Sequence, residues 1–299
     1  MKPASFELAI AESVDHASAL LAENGPDAKI LSGGQSLGPL LNLRLAFPDL
    51  LVDINRLSTL SGTNLDAQGN LEIGALTRHR NVETSEAVAS RWSILARAAG
   101  QIGHISIRNR GTIGGSVAHA DPAAEYPSVL VALDARIVLV SRRGAREVPA
   151  AEFFRGPFTT TAEPDELVTA IRIQDRLGHE AQAWMEFCRR TGDFGIVGVA
   201  AVVRVDPDGS CLSGRLVYSG VDSKPWESSS ASQYLQAARL SEDAIREVSE
   251  IAASESDPVA DDHASASFRR HLIRELTQRA LIECLHNTKG SKRYSNDDR

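Results

Sequence analysis

The chain has 299 residues, enough for two or three packed units rather than one. It is 42% hydrophobic and 24% charged, as globular proteins are, and 32 basic against 39 acidic side chains give a net charge of −7, which argues against a general affinity for nucleic acid or other polyanions. The longest apolar runs, such as Ile196 to Val203, are too short to span a bilayer, and the N-terminus lacks a basic start followed by an apolar core, so a cytoplasmic location is expected.

Val14, Ala17, Leu20 and Leu21 recur at helical spacing behind a Ser13 cap. The turn Asn24-Gly25-Pro26 returns the chain to a strand over Ala28 to Leu31. Beyond Ser32-Gly33-Gly34-Gln35-Ser36 a helix is predicted over Leu37 to Leu45, with Ser36 as its cap and Pro39 tolerated in its first turn. Leu50 to Ile54 reads as a buried strand, so strand, helix and strand form a small α/β unit. Asn64 to Gly74 predicts a hairpin, Thr77 the cap of a helix from Arg78 to Ser85, and Trp92 to Gly100 a further helix. Past a second glycine loop, Asp121-Pro122 is a helix start, with Val129, Leu130 and Leu133 as the inner face. Strands are predicted over Ala135 to Ser141 and Leu167 to Ile173. Between them Arg142, Arg143 and Arg146 read as a solvated loop or as a docking face for an acidic partner.

Gly178 to Gln182 marks a boundary. Three strands follow, Trp184 to Phe187, Ile196 to Val205 and Leu212 to Val221, the last two joined by the turn Asp206-Pro207-Asp208-Gly209. Helices are predicted over Ala231 to Ala238, Glu242 to Ala252 and Phe268 to His286, and the polar residues 289–299 are expected to be disordered.

The chemistry concentrates in two loops. In Ser32 to Ser36 the paired glycines leave no Cβ in the way, so successive backbone N–H groups can converge on an anion at the positive end of a helix. A plain βα turn also carries glycine and binds nothing, and this loop alone does not separate the two readings. The second loop, Arg108-Asn109-Arg110-Gly111-Thr112-Ile113-Gly114-Gly115-Ser116, repeats the chemistry, and two such loops can grip a pyrophosphate from both sides. Neither a G-x-G-x-x-G nor a G-x-x-x-x-G-K-[ST] signature occurs, which argues against a Rossmann dinucleotide site and a P-loop. Cys188, Cys211 and Cys284 are scattered singly, so an iron–sulfur or zinc centre is not expected on this chain. His104 and His119 flank the second loop as local hydrogen-bonding groups, and no histidine pair has metal spacing.

Ser32 to Ser36 with Asn42-Leu43-Arg44 and Leu51-Val52-Asp53-Ile54 resembles the first FAD loop of the flavoprotein (medium) subunits of molybdenum hydroxylases. This family includes aerobic carbon monoxide dehydrogenase and the flavin portion of xanthine dehydrogenase. Arg110 to Ser116, continuing into Ala118-His119-Ala120-Asp121-Pro122-Ala123-Ala124-Glu125, is similar to the second loop. Glu152 to Pro157, Pro164 to Leu167, and Gly192-Asp193-Phe194 ahead of Ile196 to Val199 extend the resemblance to about Tyr218.

The resemblance implies an α+β fold. A two-subdomain FAD-binding domain of the PCMH, or vanillyl-alcohol-oxidase-like, type would cover 1–177, divided near 56. A three-stranded antiparallel sheet with helices would follow over 178–288. It implies FAD as cofactor, held noncovalently since neither loop offers a histidine or cysteine. The implied site is Ser32, Gly33, Gly34, Gln35, Ser36, Leu37, Thr112, Ile113, Gly114, Gly115, Ser116, Glu125, Val168, Asp193 and Phe194. The N–H groups of Gly33, Gly34, Gly114 and Gly115 would hold the pyrophosphate, Glu125 the ribose or adenine end, and Phe194 would shield the flavin ring. No residue is expected to act as a general base. The implied partners are a large molybdopterin-binding subunit and a small [2Fe-2S] subunit, with FAD passing electrons to an external acceptor. Two other readings stay open: a self-sufficient FAD oxidoreductase using Asp193 or Arg189, and an assembly module that has lost its cofactor.

Overall fold

Three parallel strands begin the chain: β1 (Glu7–Ile10), β2 (Ala28–Leu31) and β3 (Leu50–Asp53), linked by α1 (Val14–Asn24) and α2 (Leu37–Asn42). The order is β1-β3-β2, with Leu50 opposite both Glu7 and Ala28. Central β3 is buried on both faces, which is why Leu50-Leu51-Val52 shows no alternation. Ser13 caps α1 by accepting from the His16 N–H at 3.0 Å, as predicted. Ser36 makes no side-chain cap to α2, which ends at Asn42, short of the expected Leu45. The structure, a computed structural model, describes residues 2–175, 180–206 and 208–294, with 289–294 described by their backbone.

The second unit runs through β4 (Thr63–Leu65), β5 (Leu71–Gly74), α3 (His79–Thr84), α4 (Glu86–Arg91), α5 (Ser93–Gln101), α6 (Ile105–Arg108), α7 (Ile113–His119) and α8 (Glu125–Ala132). It continues with β6 (Arg136–Ser141), β7 (Gly144–Pro149), α9 (Ala150–Phe153), β8 (Phe154–Gly156), β9 (Thr159–Thr160) and β10 (Leu167–Ile173). Its antiparallel sheet has the order β4-β5-β10-β6-β7. Two predicted caps are corrected. Thr77 instead bonds both the N–H and the carbonyl of Gly62, at 2.9 and 3.0 Å, which pins the hairpin. Asp121 closes a turn onto the Ala123 N–H at 2.9 Å, and α8 starts only at Glu125. The basic cluster is exposed on a hairpin, as a solvated loop would be, and two of its arginines make surface ion pairs, Arg143 with Asp165 and Arg146 with Glu166.

The third unit holds β11 (Glu180–Phe187), β12 (Val197–Val205), β13 (Cys211–Ser219) and the two-residue β14 (Trp226–Glu227), then α10 (Ser229–Gln236), α11 (Glu242–Glu255) and α12 (Ala266–Tyr294). Three long strands were expected, and β14 adds a short edge on which Trp226 packs against Tyr218 at 5.1 Å between ring centroids. The sheet is apolar on both faces. Ala183, Ala201, Val203 and Tyr218 pack against α10 to α12, while Trp184, Ala200, Val202 and Val217 join the core of the second unit. Gly178 and His179, at the expected boundary, and 295–299 of the expected tail lie outside the described residues; helix α12 continues to Tyr294. Among the described residues no helix is long and apolar enough to cross a membrane.

Candidate cofactor-binding site

Strand β2 ends at Leu31, and the next five residues cross to α2 without regular structure. Gly34 takes φ +69°, a left-handed conformation that L side chains adopt rarely. Among the described residues the N–H groups of Gly33 through Leu37 donate to no protein acceptor, so the loop presents a row of free donors. Gln35 folds back to donate to the Gly33 carbonyl at 3.0 Å and braces that row. Asn55, just past β3, donates to the Ser32 carbonyl at 2.8 Å and holds the start of the loop.

The second loop is built differently. Thr112 caps α7 by accepting from the Gly115 N–H at 3.1 Å, and the Gly114 N–H donates to the Ala75 carbonyl at 2.9 Å. These two N–H groups, expected to face a pyrophosphate, are therefore engaged inside the protein. Gly114 is glycine because a Cβ would collide with Ala75, and Gly111 because a Cβ would reach within 2.5 Å of His79 Nε2. Arg108 locks the approach to the loop, donating to Glu83 at 3.0 Å and to the Gly103 carbonyl at 2.8 Å.

The two loops touch. The Thr112 hydroxyl donates to Ser32 Oγ at 3.2 Å, and a Cβ on Gly33 would stand 2.5 Å from the Arg110 carbonyl oxygen and 2.7 Å from Gly111 Cα. Arg78 adds a polar tie: one guanidinium nitrogen donates to the Arg110 carbonyl and another to Asn55 Oδ1 at 2.9 Å. Arg110, Arg78, Asn55 and Ser32 thus form one chain of bonds between the loops.

Both loops line a single cleft of about 530 Å³. Ser32 to Leu37, Thr112, Gly114 to Ser116, Glu125, Val168, Asp193 and Phe194 all line it. Ile113 does not, being fully buried in the core. Arg189 is turned away to the His263 carbonyl. Lys29, Leu40, His79, His119 and Glu166 line the cleft although the sequence did not single them out as cofactor ligands. Phe194 is 72% exposed at the mouth, on a loop whose Gly192 packs on the His104 ring.

Burial sets the charge states here. His79 is pushed down to about 4 by burial, with Arg78 and Arg108 adding to the effect, so it is neutral at pH 7 and its Nδ1 has no hydrogen-bond partner. Glu125 is raised to about 8, first by burial and then by Glu186. Glu186 is itself raised to about 7 by burial. By contrast Arg146 offsets the burial of Glu166 and lowers its carboxyl, leaving it charged. A row of free N–H donors facing small hydroxyl side chains suits a phosphate, and the absence of Cβ atoms where the loops meet leaves room for a close backbone approach. No group of His, Cys, Asp or Glu able to hold a metal ion occurs among the described residues.

Residues 4–173 match the FAD-binding domain in molybdopterin dehydrogenase, and residues 182–284 match the CO dehydrogenase flavoprotein C-terminal domain. The chain belongs to the FAD-binding medium-subunit family of the molybdenum hydroxylases. It is 42% identical to the 6-hydroxypseudooxynicotine dehydrogenase complex subunit alpha of Paenarthrobacter nicotinovorans, over 98% of each chain. It is 33% identical to the carbon monoxide dehydrogenase medium chain of Hydrogenophaga pseudoflava, over 94% of this chain and 97% of the other. Among solved structures, carbon monoxide dehydrogenase from Hydrogenophaga pseudoflava superposes with a TM-score of 0.92 at 33% identity, covering 96% of this chain and 99% of that one. Quinoline 2-oxidoreductase from Pseudomonas putida 86 does so with 0.91 at 32% identity, covering 96% and 99%. This medium subunit is therefore part of an oxidoreductase, with FAD as its cofactor.

Proposed function

We propose that this medium subunit holds FAD noncovalently in the cleft and relays electrons from iron–sulfur clusters on a small partner subunit to an external acceptor. Substrate would be hydroxylated at a molybdenum cofactor on a large partner subunit. Residues 1–177 would be the cofactor-binding part and 178–288 the part that closes the cleft from the side of Asp193 and Phe194. Bound FAD supplies the redox chemistry; the chain supplies position and electrostatics.

The meeting of the two glycine loops at Gly33 carries this reading. The free N–H groups of Gly33 to Leu37 would hold the diphosphate from one side, and the Thr112 and Ser116 hydroxyls would face it from the other. Glu125, Val168 and Asp193 would line the remainder, and Phe194 would shield one edge of the flavin. Neutral His79 beneath Gly111 would keep the second loop in place without adding charge.

The test is anaerobic reduction of the purified protein, followed by flavin absorbance. With co-purifying partners present, the substrate of the assembly should bleach the flavin. The separated chain should keep its flavin oxidised under the same treatment and still release FAD on acid precipitation. Bleaching of the separated chain by substrate alone would overturn the relay role in favour of a self-sufficient oxidoreductase.

A further inference from the structure

Resting on the FAD reading above, we infer that Arg269, which does not itself line the cleft, is a positioning residue: its guanidinium fixes where Asp193 and Phe194 stand at the cleft mouth, and so sets how far the flavin edge is open to small solutes. Asp193 and Phe194 belong to the loop between β11 and β12, residues 188–196, and both line the cleft. The Ile196 N–H closes the base of this loop by donating to the Phe187 carbonyl at 2.7 Å. Arg269 reaches that base from the first turn of α12 and is 6% exposed. One terminal nitrogen donates to the Ile196 carbonyl at 2.5 Å and to the Gly220 carbonyl at 2.7 Å, and the other donates to Asp261 Oδ2 at 2.6 Å. Gly220 takes φ +71°, and a Cβ there would stand 2.3 Å from the Ile196 carbonyl oxygen, so a side chain would push apart the two carbonyls that the guanidinium joins. The Gly220 N–H in turn donates to the Pro122 carbonyl at 2.9 Å, in the turn whose Asp121 and Ala124 line the cleft. One cation thus ties the loop that carries Phe194 to the turn before α8.

The other leg of the loop is held by the same segment. Asp261 Oδ1 accepts from the N–H groups of His263 and Ala264, both at 2.9 Å, which folds the turn ahead of α12. Arg189, on the first leg, donates to the His263 carbonyl of that turn. Phe187 and Phe268 meet edge to face beside it, with 5.8 Å between ring centroids. At the tip the Asp193 N–H donates to the Arg190 carbonyl at 3.0 Å, and Gly192 packs on the His104 ring. Phe194 stands out from this frame 72% exposed, so its own packing does little to hold it and its place follows from the frame. A buried guanidinium costs desolvation, and here its Nε has no acceptor, so packing alone would be served as well by an apolar side chain. What arginine adds is direction: planar donors in a rigid fork that gather two carbonyls and one carboxylate at set angles.

Two measurements on the full chain test this role. The first is a double-mutant cycle on FAD-loaded protein, read by iodide quenching of flavin fluorescence. Arg269→Met should raise the Stern–Volmer constant toward that of Phe194→Ala, and adding Arg269→Met to Phe194→Ala should raise it no further. The diphosphate cradle lies on the other units, so the FAD dissociation constant should move by less than about twofold, the margin within which independent sites add. Unchanged quenching in Arg269→Met, or an equal rise in both backgrounds, would overturn the positioning role, since a general loosening acts whether or not Phe194 is present. The second measurement needs no cofactor: in FAD-depleted protein, amide hydrogens of peptides covering 188–196 should exchange faster in Arg269→Met, while those of β2 and α2 keep their rates. Exchange unchanged at 188–196 would also overturn the role. Failure of the unmodified protein to bind FAD, with the faster exchange present, would instead overturn the FAD reading and leave the hold of Arg269 on the loop standing. If Arg269→Met does not fold by circular dichroism, Arg269→Lys, which keeps the charge and loses the planar fork, decides on the same cycle.

Discussion

Gly33→Ala is the smallest change that separates the two loops. Gly33 has a negative φ, so alanine is not strained by its own backbone there. The added methyl would stand 2.5 Å from the Arg110 carbonyl oxygen and 2.7 Å from Gly111 Cα, backbone atoms that cannot rotate out of the way. One loop must move by most of an ångström, and overpacking of this kind costs about 1–3 kcal/mol. Because the strain is relieved by widening the cleft, it should appear in cofactor binding as an FAD dissociation constant raised about 5- to 150-fold, at about 1.4 kcal/mol per decade. Flavin fluorescence titration measures this directly. Gly38→Ala is the matched control, since a Cβ there meets nothing within 4 Å and replaces glycine within α2. Gly33→Ala protein that binds FAD as the unmodified chain does, with an unchanged melting temperature, would show that the loops do not close on one ligand.

In Gly115→Val the Cβ would stand 2.8 Å from Thr112 Oγ1 and 2.9 Å from Ser32 Oγ, so FAD content after purification should drop sharply while the circular dichroism spectrum holds; full flavin absorbance would refute this. Arg78→Ala removes the bonds to Arg110 and Asn55 and should weaken FAD affinity about tenfold, with Asn55→Ala weaker in the same direction; an unchanged affinity in both would dismiss the tie between loops. Stability should fall as pH rises from 6.5 to 8. Folded Glu125, raised to about 8, keeps its proton at pH values where its unfolded counterpart has already lost it, so each step up in pH favours the unfolded chain until the folded carboxyl ionises too, and Glu125→Gln should flatten that limb of the melting curve. On the acid side, His79 held down to about 4 makes the unfolded chain bind the extra proton, so stability contributed by the neutral ring is lost as pH drops from 6.5 toward 4; His79→Gln should remove that loss.

The glycine loops were legible because their chemistry is local: two adjacent residues without Cβ announce a close approach wherever they sit. What approaches them is not local. The Gly114 N–H is claimed by Ala75, and nothing near Gly114 in sequence signals that partner. Asn55, Arg78 and His79 belong to no motif, and each acts at the site only because β3 and α3 are brought beside the loops. The false caps fail for a related reason. Thr77 and Asp121 have the right side chains for helix starts, but Thr77 meets Gly62 across the hairpin, and Ala120 at φ +52° turns the chain before Asp121. Strand β1 escaped notice because it is an edge with Leu8 and Ile10 largely exposed, so it lacks the burial alternation by which strands are read.

The cleft draws on all three units, and this gives FAD a mechanical consequence. The N–H row comes from the parallel β1-β3-β2 unit, the facing hydroxyls from the antiparallel unit, and Asp193 and Phe194 from the segment leading into β12. The second and third units already share a core, through Trp184, Ala200, Val202 and Val217. The first has its own smaller core, joined by Leu76 and Leu167 from outside. Without cofactor, then, the first unit should open at lower temperature than the other two. FAD bound between the first unit and the rest should delay that opening, in proportion to the logarithm of free FAD over its dissociation constant, about 2.7 kcal/mol at a hundredfold excess. Hydrogen exchange followed by peptide mass spectrometry reads each unit separately. Protection of peptides from β2, β3 and α2 should rise most on adding FAD, while α10 to α12 change little. Equal gains across all three units, or a gain confined to the C-terminal helices, would mean that the cofactor does not join the first unit to the others.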